Sequence, residues 1–269
     1  MPVKTALVTG ASSGIGQACA VRLVHSGWRV HAGVRRPGDA PDGTEEVLLD
    51  VTDAEQIRDA ARLVEGLDGL VNNAGIALAA PLEFVPPEEL RYQLEVNLVG
   101  QVAVTQAFMP ALRRAKGRIV FMGSIAGRSA LPFLGPYAAS KHALEAIADC
   151  LRLELRPFGV HVSIVQPGTI RTPIWTRSAA RADDLIAASD GHLSELYGDR
   201  MAALRQIALK RGAAGAPAQA VAKVVVEALT AERPHTRYLV GRDARMRAGF
   251  ERLPDRLRDR IYERVLLKS

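Results

Sequence analysis

The spacing of apolar residues along the chain switches repeatedly between two periods. Val3 to Thr9 is a short β-branched run that predicts a strand. Ile15 to Ser26 follows with Ile15, Ala18, Cys19 and Leu23 on one helical face. The same succession continues with strands at Arg29 to Val34 and Val47 to Val51, a helix at Ala54 to Glu65, and a strand at Gly69 to Asn73. Pro86 and Pro87 open a further helix, because proline suits a first helical turn and Glu88 and Glu89 favour its positive end. A long helix from about Val99 to Ala115 precedes a strand at Arg118 to Gly123. The next helix, Tyr137 to Arg156, spaces Leu144, Ala148, Leu151 and Leu155 to face a core, and Val160 to Val165 is again a strand. Strand–helix alternation of this kind predicts an α/β fold, a doubly wound parallel sheet with helices on both faces in three α/β/α layers.

From Thr172 to about Ala216 the alternation fails, and the run from Gly212 to Pro217 reads as flexible. So long an irregular stretch inside a compact domain predicts a functional segment, here a substrate lid over about residues 172–216. A helix (Ala218 to Thr230), a strand (Arg237 to Val240) and a basic helical tail over about 243–269 complete the chain. Leu253, Leu257, Ile261 and Val265 share one face of that tail, with Arg and Asp/Glu interleaved on the others. This pattern predicts a helix packed on the body or on a subunit partner. Nothing reads as a linker, so residues 1–269 are expected to form one domain.

Charge confirms that the tail is separate in character. Between Arg233 and Ser269 stand eleven Lys/Arg and five Asp/Glu, which accounts for the whole net charge of +6; the remaining 232 residues carry 24 of each sign. A basic amphipathic helix offers weak contact with an anionic membrane as an alternative role. No nucleic-acid-binding motif accompanies the charge. Cys19 and Cys150 lie far apart with no metal-ligand spacing, which suits a reducing compartment. The six histidines form no metal motif, and His142 reads as a helix-surface residue, so no metal is expected. No apolar run approaches the ~20 residues that span a bilayer, and no signal-peptide core opens the chain. The expected location is cytoplasmic.

Between the first strand and the first helix stands Thr9-Gly10-Ala11-Ser12-Ser13-Gly14-Ile15-Gly16. Glycines here let the backbone turn sharply and approach a pyrophosphate, while the helix N-terminus offers unpaired N–H groups and positive potential. The spacing resembles that of the short-chain dehydrogenase/reductase family, whose fold is of Rossmann type. Asn72-Asn73-Ala74-Gly75 stands where that family has its turn after the fourth strand, Asp50-Val51 matches its adenine-contacting pair, and Pro167-Gly168-Thr169 follows the sixth strand as in the family. The resemblance is close over Val3 to Thr172 and looser over Ala218 to Gly241. It implies cofactor contacts from Gly10, Ser12, Ser13, Gly14, Ile15, Gly16, Asp50, Val51, Asn73, Ala74, Gly75, Pro167, Gly168, Ile170 and Thr172.

NAD binders usually end the second strand with an acid that bonds the ribose 2′-OH. Here the strand ends Gly33-Val34-Arg35-Arg36, with Val34 at that position. A guanidinium pairs with a 2′-phosphate in fork geometry. Arg35, helped by Arg36 and Ser12 or Ser13, therefore favours NADP(H), with NAD(H) as the alternative.

Tyr137 and Lys141 stand four apart at the start of a helix and so share a face. A nearby ammonium should lower the phenol's ordinary pKa of ~10 and make Tyr137 a proton donor or acceptor near neutrality. Ser124 lies thirteen residues earlier, at the carboxyl end of the fifth strand, where open α/β sheets bind ligands. The family resemblance implies that Ser124 bonds the substrate oxygen and that Tyr137 and Lys141 also touch the cofactor. It further implies that Asn97 is a fourth catalytic residue, holding a water linked to the lysine.

An alcohol or carbonyl is thus the expected substrate. Leu131, Phe133 and Leu134, with Trp175, Leu185, Ile186, Leu196, Tyr197 and Met201 of the lid, read either as local packing or as the lining of a bulky, lipophilic pocket. The run from Phe158 to Pro173 resembles the retinol and steroid dehydrogenase branch. Relatives assemble as dimers or tetramers through the two long helices near Val99 and Tyr137, so a homo-oligomer is expected. A cofactor-binding sensor without turnover is the competing class, but it would have no use for Asn97, Ser124, Tyr137 and Lys141 together.

Overall fold

The computed structural model describes residues 3–189 and 191–264. Seven parallel strands form the central sheet. They are β1 (Thr5–Thr9), β2 (Arg29–Val34), β3 (Glu45–Leu48), β4 (Gly69–Asn72), β5 (Arg118–Met122), β6 (His161–Pro167) and, late in the chain, β9 (Arg237–Val240). Their order is β3-β2-β1-β4-β5-β6-β9, so the winding reverses between β1 and β4. A ligand crevice opens at such a switch point, beyond the carboxyl ends of the strands.

The period of two along each strand divides the core. Ala6, Val8, Val71, Val120 and Val165 face one side, beneath α1 (Gly14–His25) and α8 (Ala218–Thr230). Leu7, Leu70, Ile119, Phe121 and Ile164 face the other, beneath α2 (Ala54–Leu63), α4 (Gly100–Ala115) and α5 (Gly135–Glu154). The three α/β/α layers expected from the alternation are therefore present. β3 begins two residues before the apolar run that predicts it, because Glu45 and Glu46 pair with His31 and Ala32 on an edge strand, where charge is tolerated.

The lid region departs from expectation. Rather than an irregular stretch, it holds α6 (Ile174–Ala188) and α7 (His192–Ala213), which precede α8 and follow α3 (Pro87–Leu94) in chain order. Only Ser178, Ala182, Leu193 and Gly212 are buried on these two helices, so the sequence carries no strong apolar stripe to announce them. The run after Gly212 is also ordered: β8 (Ala216–Pro217) pairs with β7 (Ile170–Arg171) in a second, two-stranded sheet. The tail forms α9 (Arg242–Phe250) and α10 (Asp255–Tyr262), while Val265, expected on its apolar face, lies outside the described residues. The tail packs on the body, with Ala244 and Ala248 against Ile125. No helix among the described residues is long and apolar enough to cross a membrane.

Candidate active site

The glycine turn closes β1 onto α1. Gly10 and Gly14 have φ of +64° and +59°, a backbone region that side chains disfavour. A Cβ at Gly16 would collide with the Gly10 carbonyl oxygen, and one at Gly10 would stand 2.9 Å from Ala74 Cα. The N-cap residue Ser13 makes no side-chain bond to α1, and no acid occupies the first turn, so the helix start is open to an anion. These features fit a dinucleotide's pyrophosphate.

Asn73 fixes the turn from β4. Its Nδ2 donates to Thr9 O at 2.9 Å and Gly10 O at 3.2 Å, and its backbone N–H donates to Thr9 Oγ1 at 2.9 Å. Ala74 N–H donates to the same hydroxyl at 3.0 Å. From the opposite side the loop after β6 comes down over the turn: a Cβ on Gly14 would lie 3.3 Å from the Thr172 side chain. Ile170 is buried, and Trp175 Nε1 donates to its carbonyl at 2.7 Å. Gly168 N–H donates to Val240 O at 2.8 Å. Asp50 accepts from Thr52 N–H and Oγ1 at 2.9 and 2.7 Å, and Val51 is buried beside it.

At the adenosine end, Val34 is buried while Arg35 is exposed and turned to solvent. Arg36 pairs with Asp39 at 3.0 Å. Ser13 Oγ accepts a 3.4 Å bond from Arg177 of α6.

The reacting end assembles where β5 and α5 meet. Ser124 caps a one-turn helix, Ile125–Gly127, its Oγ accepting from Ala126 N–H at 3.1 Å. Tyr137 lies in the first turn of α5 within reach of Ser124, and Lys141 stands one turn on, its Nζ 5.8 Å from the centre of the tyrosine ring. Lys141 Nζ donates to Met122 O at 2.7 Å, tying α5 to the end of β5. Burial lowers the Lys141 ammonium to about 8, opposed by the neighbouring Glu145.

The tyrosine departs from expectation. Burial pushes the Tyr137 phenol up rather than down. The Ser124 hydroxyl and the charge of Arg247 on α9 oppose it.

Asn97 sits in a π-helical turn, Glu95–Val99, an irregularity common at functional sites. Its Oδ1 accepts from Ile76 N–H at 2.8 Å, and its Nδ2 donates to Ile76 O and Ser140 Oγ at 2.9 and 3.0 Å. Ser140 Oγ in turn donates to Tyr137 O at 2.7 Å. Asn97 therefore reaches the Tyr137 helix through Ser140, one residue from the lysine, and bonds no Lys141 atom among the described residues.

Several residues that hold the site carry no motif. Gln93, Asn97, Gln101 and Thr105 are all buried at four-residue spacing. They grip residues 72–78: Gln93 bonds Ile76 O and Leu78 N–H, Gln101 donates to Ala74 O at 2.9 Å, and Thr105 Oγ1 accepts from Asn72 at 2.8 Å. The visible signal is a polar residue recurring in a buried helical phase. Asp243 of α9 accepts from Thr169 N–H at 2.6 Å, and a Cβ on Gly168 would collide with its carboxylate.

α7 packs near this end through an aromatic group. Tyr197 of α7 packs edge-on against Phe84 and Phe133 at 5.9 and 5.8 Å and donates to Glu83. Arg181 of α6 pairs with Glu89 of α3.

A family profile described as short chain dehydrogenase matches residues 4–183. The chain is 35% identical to an NADPH-dependent 3-dehydrocapnine reductase of Ornithobacterium rhinotracheale, over 99% of this chain and 98% of that protein. It is 38% identical to human 17-beta-hydroxysteroid dehydrogenase type 6, over 90% of this chain and 82% of that one. Among solved structures, a short chain dehydrogenase from Burkholderia cenocepacia in complex with NADP superposes with a TM-score of 0.76 at 28% identity, covering 99% and 98% of the two chains.

Proposed function

Because the chain belongs to the short-chain dehydrogenase/reductase family, and so is an oxidoreductase of CH–OH or carbonyl groups with a nicotinamide dinucleotide, we propose that it is an NADP(H)-dependent enzyme acting on a bulky, lipophilic alcohol or ketone with Tyr137 as its acid/base. The observation that carries this reading is the meeting of Ser124, Tyr137 and Lys141 at the carboxyl end of β5, facing an open glycine turn.

The dinucleotide's pyrophosphate would lie on the start of α1, held by backbone N–H groups of the Gly10–Gly16 turn. Arg35 would take the 2′-phosphate, since no acid stands at Val34 to bond a free ribose hydroxyl. The similarity to an NADPH-dependent reductase of Ornithobacterium supports this preference. When bound, the nicotinamide supplies or accepts the hydride.

The chain's own residues handle the oxygen. In the reducing direction Ser124 donates to the carbonyl oxygen and polarises it, and Tyr137 gives its phenolic proton to that oxygen as the C–H bond forms. In the oxidising direction the same phenolate takes the hydroxyl proton. Lys141 would hold the ribose and supplies positive potential beside the tyrosine, its Nζ 5.8 Å from the ring centre, and Asn97 keeps the start of α5 in place through Ser140.

Leu131, Phe133 and Leu134 before the tyrosine, and the Tyr197 aromatic group above it, support a lipophilic substrate, as does the steroid named for the human relative. The outer faces of α4 and α5, where Phe158 is exposed beside Met109 and Leu151, support pairing with a second copy of the chain.

Steady-state rates with NADPH and NADH across steroid, retinoid and long-chain ketones and alcohols test the reading. Turnover with NADPH in excess of NADH is expected, and Arg35→Asp should reverse the preference. Equal loss with both cofactors in that variant would remove the role given to Arg35.

A further inference from the structure

We propose that Arg247, on α9, is a positioning residue for this reaction: it straps down the turn that carries Ser124 and holds a permanent positive charge on the Tyr137 side of the site. The inference rests on Tyr137 being the proton-transfer group. α9 reaches the site through small residues, Ala244 and Ala248, which pack on Ile125, the residue after Ser124. From the turn between them Arg247 Nη2 donates to Ser129 O at 2.6 Å, and its Nε lies 3.4 Å from Ser129 Oγ. Ser129 is fully buried, and its hydroxyl shares a 3.0 Å bond with Tyr262 of α10. One turn earlier on the same helix, Asp243 holds Thr169 of the Pro167–Thr169 turn. Successive turns of α9 thus brace the substrate-side turn and the cofactor-side turn together.

The charge is placed as well as the strap. Among the described residues Arg247 forms no ion pair, and its guanidinium sits on the Ser129 carbonyl, five residues after Ser124; Asp243 and Glu251 lie one turn to either side of it along the chain, and Tyr262 and Tyr137 are the other titratable groups that bear on its charge. The groups whose charge or hydrogen bonding bears on the Tyr137 phenol are Arg247 from α9 and the Ser124 hydroxyl from the end of β5, with Lys141 one turn on, its Nζ 5.8 Å from the ring centre, and Glu145 beyond the lysine. A guanidinium stays protonated across the working range, so its effect on the phenol is a fixed field and not a titration. A cation at that place favours phenolate and opposes the effect of burial.

The test uses the full chain with NADP+ and the best alcohol of the panel above, reading kcat against pH together with the dissociation constant for NADP+. In Arg247→Met the midpoint of the limb that rises with pH should move up by about one unit, as expected for loss of a neighbouring cation. In Arg247→Lys the midpoint should return towards that of the parent while kcat recovers only in part, because an ammonium cannot reproduce the fork on Ser129. Ser129→Ala removes the hydroxyl's contacts with Arg247 and Tyr262 but keeps the carbonyl bond and the charge, so its midpoint should stay at that of the parent, and a shift there would count against the charge as the cause. If the methionine variant does not fold, Arg247→Gln, which retains an amide donor for the Ser129 carbonyl, gives the same reading. An unmoved midpoint in the charge-free variant overturns the proposal, whatever happens to the rate. Tyr137→Phe, run in parallel, separates the two failures: turnover in that variant removes the tyrosine reading, whereas its inactivity alongside an unmoved Arg247→Met midpoint removes only the role of Arg247.

Discussion

Lys141 concentrates the cost of function in one side chain. Its ammonium is buried, held by the Met122 carbonyl, and lowered to about 8 from the ordinary value of 10.5. A lysine whose folded value lies below its unfolded one penalises the folded state wherever the unfolded chain would be charged. That penalty is full below pH 8 and fades as pH rises towards 10.5. Lys141→Met should therefore raise the unfolding free energy at pH 7, by up to about 3 kcal/mol less the lost bond to Met122, with the gain vanishing near pH 10.5 and turnover lost throughout. Thermal unfolding followed across pH checks this, and a variant less stable at pH 7 than at pH 10 relative to the parent would contradict it. At the same scale the sequence was an incomplete guide. The four-residue step from Tyr137 to Lys141 correctly places both side chains on one face, but spacing cannot say where an ammonium spends its hydrogen bonds. Here it spends one on a backbone carbonyl, and burial decides the direction of the phenol.

Among the elements, those with a sharp period were legible to within two residues or so. α8 and β9 fall on their expected limits because each buries one clean face. The glycine turn was legible for another reason, since its chemistry leaves no room for side chains. Gly16 makes the point: its missing Cβ lets the Gly10 carbonyl and the Asn73 amide close on the first turn of α1. Gly16→Ala should weaken dinucleotide binding by at least about tenfold, or 1.4 kcal/mol, with the sheet retained; binding titration with NADPH measures it, and unchanged affinity would show that the turn does not hold the pyrophosphate. α6 and α7 were illegible because they lie over the body with few buried residues, so their sequence has no stripe to read. Of the polar step Gln93, Asn97, Gln101, Thr105 only Asn97 was legible, through its motif, because polar side chains usually mark a solvent face rather than a clamp on a neighbouring loop.

For the molecule as a whole, the parallel sheet sets the place of the chemistry and the C-terminal segment holds it shut. The winding reverses between β1 and β4, and the glycine turn, the Asn73 turn and the Ser124 turn all leave the sheet at its carboxyl edge. The basic tail, whose charge alone offered a membrane as one alternative, folds back through α9 onto two of the loops that frame this edge. On the proposed reading, proton transfer falls to a single phenol, Tyr137, beside the dinucleotide site. Tyr137→Phe removes one oxygen and leaves the cradle untouched, so it isolates that assignment. NADPH should bind the variant within a few-fold of the parent, while turnover on the best carbonyl substrate falls by about a thousandfold, within the range for loss of a general acid. A variant that binds NADPH normally and still reduces the substrate at a rate comparable to the parent would contradict the account.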